Sequence, residues 1–354
     1  MNIRKILSFA FASALLFNVA CSDDENMEFE TPKGAYEKGI LISNEGGYST
    51  PTAEISFVSS DLVTMESKVY GKNNNNEILG NVLQTIGFSG DNAYLVSNVP
   101  NKVDVVNRYT FKKQATVTAN LEGPRYIAFS GNQYYVTNNN FSNVKKLNVY
   151  NKDGNAFVKS INFDRAAEKV VEANGNIVVQ TDGITYDSNY NELPTGYTIT
   201  IVAPSTNAVA KTVTLPSTGI IKDLVSYNGD AYVLVSGTSD SYIYKINASS
   251  GAYTTTTLTG IAKAQRLRID SNKFYFINSS NKIYAMDITS TTTPSTPLVT
   301  TTGYVYGFDV IDGRVFVSDA SFTGDSKAYV YSASNGSLLK TLTTGIGTNG
   351  FYKN

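Results

Sequence analysis

From about residue 36 onward the chain is written in short runs in which apolar and polar positions alternate, broken by Gly, Asn, Asp and Ser. That period of two belongs to half-buried strands, and the 3.6-residue period of an amphipathic helix is nearly absent. The breaks recur. Ser89-Gly90-Asp91, Ser130-Gly131-Asn132, Ala173-Asn174-Gly175, Tyr227-Asn228-Gly229, Asp270-Ser271-Asn272 and Ile311-Asp312-Gly313 each lead into an apolar or aromatic segment. In five of the six a glycine lies inside the turn, where a positive φ is needed, so each unit contains a β-hairpin. Aligned on Tyr94, Tyr135, Val178, Tyr232, Tyr275 and Phe316, the units stand 41, 43, 54, 43 and 41 residues apart, with Ile40 a further 54 before Tyr94. Seven repeats of about 46 residues therefore fill 36–354, the length that four short strands and their turns take in a propeller blade.

The pattern predicts an all-β fold: a seven-bladed β-propeller of four-stranded blades. In the third blade it places strands at 126–129, 134–137, 144–150 and 156–161, from the axis outward. In the second the strands fall at 85–88, 93–97, 102–107 and 114–118. The first blade starts at its second strand, near Gly39, and lacks an inner one. Thr348 to Lys353 has the inner-strand pattern with nothing after it, so the C-terminal strand is expected to join the N-terminal blade and close the ring. Blade four carries the largest insertion, 182–196, rich in tyrosine and acids. Loops of that length tend to be functional or disordered. Its Asp187-x-Asn189-x-Asn191 spacing is weakly calcium-like, without the glycine and distal glutamate of an EF-hand. On the inner strands, Arg268 and Asp309 stand where the other blades have small or apolar residues, and are expected to be a structural ion pair, with an active-site pair as the alternative.

Composition narrows the chemistry. There is no His and no Trp. The missing His removes Ser-His-Asp and Cys-His catalysis and every His-containing zinc site. With 29 basic and 30 acidic side chains the net charge is −1, which gives no field of one sign for nucleic acid. The missing Trp argues against WD40 and quinoprotein propellers, whose blades use tryptophan.

The first 20 residues have secretory grammar: Arg4 and Lys5, an apolar run from Ile6 to Val19, then Ala20 before Cys21. The 14-residue run is too short for a bilayer, which needs roughly 20. Asn18-Val19-Ala20-Cys21 resembles a lipobox, although Asn18 stands where Leu is usual. That makes Cys21 the expected lipid-bearing residue, with a stray thiol as the alternative. Ser22-Asp23-Asp24-Glu25 opens a polar segment unable to bury a core. It resembles the surface-export signal of Bacteroidetes lipoproteins; a plain solvated linker is the other reading. The expected organisation is a signal peptide at 1–20, an acylated tether at 21–35 and a propeller at 36–354.

The repeat is similar to YncE-like seven-bladed propellers, and most of all to a group of Bacteroidetes surface lipoproteins. The motifs that carry the likeness are Asn44-Glu45-Gly46, Leu79-Gly80-Asn81-Val82-Leu83-Gln84-Thr85-Ile86 and Pro124-Arg125-Tyr126-Ile127. The group includes the BtuG lipoproteins. The resemblance implies outer-membrane anchoring with cell-surface display, a TonB-dependent transporter as partner, and a small-molecule ligand such as cobalamin. Fold-level likeness does not transfer a ligand.

In a propeller, loops from second to third strands and from one blade's outer strand to the next blade's inner strand open on one face. Mapping the repeat puts Asn44, Glu45, Asn98 and Asn139 in the first kind of loop, and Arg125, Arg165, Arg266, Tyr304 and Tyr306 in the second. Asp182 maps with the first group and Lys222 with the second. Without Asp182 and Lys222, the other nine are the expected ligand-binding set, because amides, guanidiniums and phenols suit a polar, stacking ligand. The bland alternative is that strand ends are polar and merely solvated. No metal, cofactor or catalytic residue is expected, and no cluster of Glu, Asp and Asn maps to the inner-strand ends as a metal-dependent lactonase would need. The chain is expected to be a monomeric binding module; adhesion is the other non-catalytic reading.

Overall fold

Alternation of apolar and polar residues, bounded by turn residues, becomes strands throughout. The computed structural model describes residues 32–354. The expected signal peptide at 1–20, Cys21 and most of the expected 21–35 tether lie outside the described residues. From Gly34 to Asn354 the chain is one compact unit built of seven four-stranded antiparallel sheets, the blades of a β-propeller. A five-residue turn of helix, Val69–Asn73, follows the first blade. Among the described residues no helix is long and apolar enough to cross a membrane.

The third blade runs Pro124–Ser130, Gln133–Asn139, Lys145–Asn151 and Phe157–Asn162 from the axis outward. These strands contain or nearly match the four read from the sequence. The six inner hairpin turns carry the positive φ that their residues suggested. Asn174 and Gly175, Asn228 and Gly229, and Asp312 and Gly313 have both central residues at φ 46° to 81°, the mirror-image turn whose twist matches the flanking strands. Side chains of the inner and second strands pack blade on blade: Ala128 and Tyr135 of the third share a core cluster with Ile177 and Val179 of the fourth.

Ring closure is as the repeat required. Thr348–Lys353 pairs antiparallel with Gly39–Asn44, which in turn pairs with Glu54–Ser59. Phe351 is buried against Phe316 of the seventh blade at a centroid distance of 5.4 Å. The insertion in blade four folds as a small hairpin, Ile184–Tyr186 with Glu192–Pro194. Asp187 closes its tip: Oδ1 accepts the backbone N–H of Asn189 and Asn191, and Oδ2 accepts Asn191 Nδ2. Those oxygens are committed to the turn, which accounts for the calcium-like spacing without a cation.

The two ends of the ring differ. One end is the tight hairpin turns. At the other, where the longer loops open, stand the exposed aromatics Tyr48, Phe141, Tyr186, Tyr190, Tyr304 and Phe322. Such rings lose little conformational entropy on binding and offer broad apolar contact.

Candidate functional site

At the mouth of the axis, on the aromatic face, Arg125 opens the inner strand of blade three. Its guanidinium meets Glu168 of the next blade through Nη2 to Oε1 at 2.7 Å and Nε to Oε1 at 3.0 Å. Asn139 Nδ2 donates to the other oxygen of Glu168 at 3.1 Å. Phe141 lies over the guanidinium, 5.0 Å from its ring centroid. Burial disfavours the charge on Arg125, but Glu168 outweighs it and holds the group charged.

Across the mouth, the Tyr306 hydroxyl donates to Glu45 Oε2. Burial raises the Glu45 pKa above the ordinary value, against the pull of Tyr306 and the charge of Arg125. Tyr306 stacks on Tyr304 at 6.0 Å, and Phe322 sits edge-on to Tyr306 at 5.4 Å. Arg266 Nη2 donates to the Tyr306 carbonyl at 3.2 Å.

The structure therefore brings Glu45, Arg125, Asn139, Arg266, Tyr304 and Tyr306 together. Three expected residues behave otherwise. Asn44 is fully buried in the closing blade, its Oδ1 accepting from Thr348 Oγ1 at 2.6 Å and from Gly345 N at 3.0 Å, and its Nδ2 donating to Ser56. Asn98 ends a strand ladder opposite Asn101, with Oδ1 buried and unpartnered. Arg165 reaches away to the insertion, donating to the Thr195 carbonyl at 3.1 Å. Asn44 is held by partners in its own blade, and Arg165 is held by the insertion.

Glu168, Phe141 and Phe322 were missed. Glu168 lies just before an inner strand, 43 residues from Arg125, close to one repeat. An acid one blade on from an Arg was the available signal. Glu168 pairs with Arg125, and Glu45 lies within reach of the same guanidinium's charge. Among the described residues no group of three His, Cys, Asp or Glu side chains could hold a metal ion.

Deeper along the axis, Arg268 and Asp309 form the expected ion pair, Nε to Oδ2 at 2.9 Å. It belongs to a larger network. Arg268 Nη1 also reaches Asp223 Oδ2 at 3.0 Å, and Lys169 Nζ reaches Asp223 Oδ1 at 2.5 Å. Arg268 and Asp309 keep 25% and 23% of their side-chain surface free, as groups facing a narrow axial channel do.

Asp182 is the counterexample in charge balance. It occupies the position of Asn44, Asn98 and Asn139 in the earlier blades, is 2% exposed, and has Oδ2 without a partner. Burial pushes its carboxyl up to about 7, against the Gln180 side chain and two backbone N–H groups. Below about pH 4 the folded and unfolded chains both hold this proton. Between pH 4 and 7 only the folded chain does, so stability falls as pH rises, and the full penalty stands above 7. Asp182→Asn should stabilise the fold, and its gain in urea unfolding should grow by about 2–3 kcal/mol from pH 5 to pH 8. A gain equal at both pH values would show that the carboxyl is not held protonated.

The sequence model of a domain of unknown function, DUF5074, matches residues 38–344. No curated protein sequence matches the chain. Among solved structures, a protein from Lactobacillus plantarum is similar at 14% identity and a TM-score of 0.63, over 89% of this chain and 98% of that one. The dihydro-heme d1 dehydrogenase NirN in complex with DHE is similar at 15% identity and 0.57, over 92% and 77%. The computationally designed Ika8 protein is similar at 10% identity and 0.57, over 90% and 91%. Likeness at these identities speaks for the fold.

Proposed function

The chain belongs to the DUF5074 family, and from that premise and the geometry of the mouth we propose that it is a non-catalytic binding propeller that captures a small molecule on its aromatic face. The finer reading, from the resemblance of leader and repeat, is a YncE-like lipoprotein held at the outer-membrane surface through Cys21. There it serves a TonB-dependent transporter, with cobalamin as one candidate ligand. The observation that carries the proposal is the concentration of the most exposed aromatics on the face where Arg125, Glu168, Glu45 and Tyr306 are already locked in position. Rigid polar groups beside rings suit a ligand with a flat apolar surface and polar edges, because little ordering remains to be done on binding. The second reading, adhesion to another protein, is favoured by Tyr186 and Tyr190, which are 60% and 88% exposed on the insertion.

The test rests on exposed rings. Arg125→Ala strands Glu168 and should lower the melting temperature, so it cannot report binding alone. Tyr304→Ala with Phe141→Ala touches residues 59% and 76% exposed and should leave unfolding unchanged. In equilibrium dialysis against cobalamin, and in native mass spectrometry for other co-purifying small molecules, the double variant should lose tenfold or more in binding. Unchanged binding in that variant would reject this face as the site.

A further inference from the structure

The same face carries a second cavity, away from the axis and lined by none of the mouth residues. Its volume is about 610 Å3, and it lies beside the short helix Val69–Asn73. That size is ordinary for a small-molecule site.

Glu54, the first residue of a blade-one strand, lines it, and its Oε2 is buried without any hydrogen-bond donor. Gly345 makes room for this carboxylate: a Cβ there would sit 2.3 Å from Glu54 Oε1. Burial and the nearby Asp325 raise the Glu54 pKa, while Lys68 and Lys72 act against them. A buried carboxylate oxygen with no donor is costly unless something arriving from outside donates to it.

The other charges sort themselves by partner. Lys72 pairs with Glu66 at 3.2 Å, and Glu77 pairs with Lys113 at 2.5 Å. Glu54, Asp325 and Lys68 form none of the ion pairs found among the described residues, but Lys68 lies close enough to Glu54 for its charge and its backbone N–H to favour the carboxylate. Lys68 sits at φ 58°, a left-handed conformation that a non-glycine residue seldom adopts and that is often kept at binding sites. The same lining contributes apolar surface, with Tyr70 and Leu79 buried and Ile78 59% exposed.

We propose that this cavity binds a small zwitterion with an apolar side chain, an amino acid or a short peptide, with its ammonium at Glu54 and Asp325 and its carboxylate at Lys68. An ammonium supplies the donor that Glu54 Oε2 lacks, Lys68 supplies the cation that a carboxylate needs, and the wall takes the side chain. The site is independent of the mouth.

Titration calorimetry of the full chain with leucine and with leucyl-leucine tests it. At least one should bind, and N-acetylleucine, which lacks the cation, and leucinamide, which lacks the anion, should bind tenfold or more weakly. Glu54→Gln should weaken the zwitterion by a similar factor. Should that variant fold poorly, Asp325→Asn, at an exposed position, should weaken it severalfold. Lys68→Asn, which tolerates the same backbone conformation, should make leucine and leucinamide bind alike. Tyr304→Ala should leave all these affinities unchanged, so the mouth and this cavity fail separately. Failure of both zwitterions to bind at millimolar concentration, equal binding of the blocked forms, or unchanged affinity in the carboxylate variants would overturn the proposal.

Discussion

Deleting residues 347–354 should leave a chain with no cooperative unfolding transition and a strong tendency to aggregate. The deleted segment is the inner strand of the first blade, paired with Gly39–Asn44 along its length. Without it that strand becomes an unpaired edge, open to pairing with other chains. Phe351, 1% exposed, leaves a cavity beside Phe316, and loss of a buried phenylalanine side chain alone costs about 3–5 kcal/mol. Thr348 leaves Asn44 buried without the hydroxyl it accepts from, and Asn354 leaves Arg108 without the acceptor held at 2.8 Å. Together these losses rival the roughly 5–15 kcal/mol by which a domain is stable at all. A synthetic peptide of 347–354 added during refolding should restore part of the transition by strand addition. A truncated chain melting like the parent would mean that ring closure contributes nothing to stability.

Asp223→Ala should be the most damaging single substitution on the axis, at about 3–5 kcal/mol. Asp223 is fully buried, and its oxygens serve Lys169, Arg268 and the backbone N–H of Leu267 at 2.9 Å. Removing it strands a mostly buried ammonium and an amide donor, while Arg268 keeps Asp309. Burial alone would raise the Asp223 pKa, but Lys169, Arg268 and Arg266 outweigh it and hold it at about 2. A carboxyl depressed in the folded state adds stability above its unfolded pKa of about 4, and that stability is lost as pH falls from 4 toward 2. The variant should therefore unfold in urea at a lower midpoint at pH 7 and lose the parent's steepest acid dependence below pH 4. Retention of both the midpoint and the acid slope would show that the network is not stabilising.

Arg268 and Asp309 could be singled out because charges break the run of small and apolar residues on the inner strands. Asp223 and Lys169 could not. Asp223 lies within an inner strand and Lys169 just before one, and it takes the packing of blades to bring Lys169 and Arg268 to the same carboxylate. Asp182 maps to the loop-bearing face, but its raised pKa follows from burial, which loop length alone does not specify. The cavity beside Glu54 had no signature at all, because its walls come from blade one, the link to blade two and the returning chain end.

By itself the sequence determined the strand period, the turns, the count of seven repeats, the closure of the ring and the face on which long loops gather. Those features are local or periodic: φ preferences at Asn-Gly turns and alternation along a strand are properties of neighbouring residues. The tertiary structure alone decided which charges meet. Arg125 finds Glu168 43 residues away, Arg268 finds Asp223 45 away, and Tyr306 finds Glu45 261 away. A period says which way a side chain points, but a hydrogen bond forms or fails over a few tenths of an ångström. That margin is set by how adjoining blades pack, and so Asn44 and Asn139, at equivalent positions in the repeat, became a buried strut and a wall of the binding mouth.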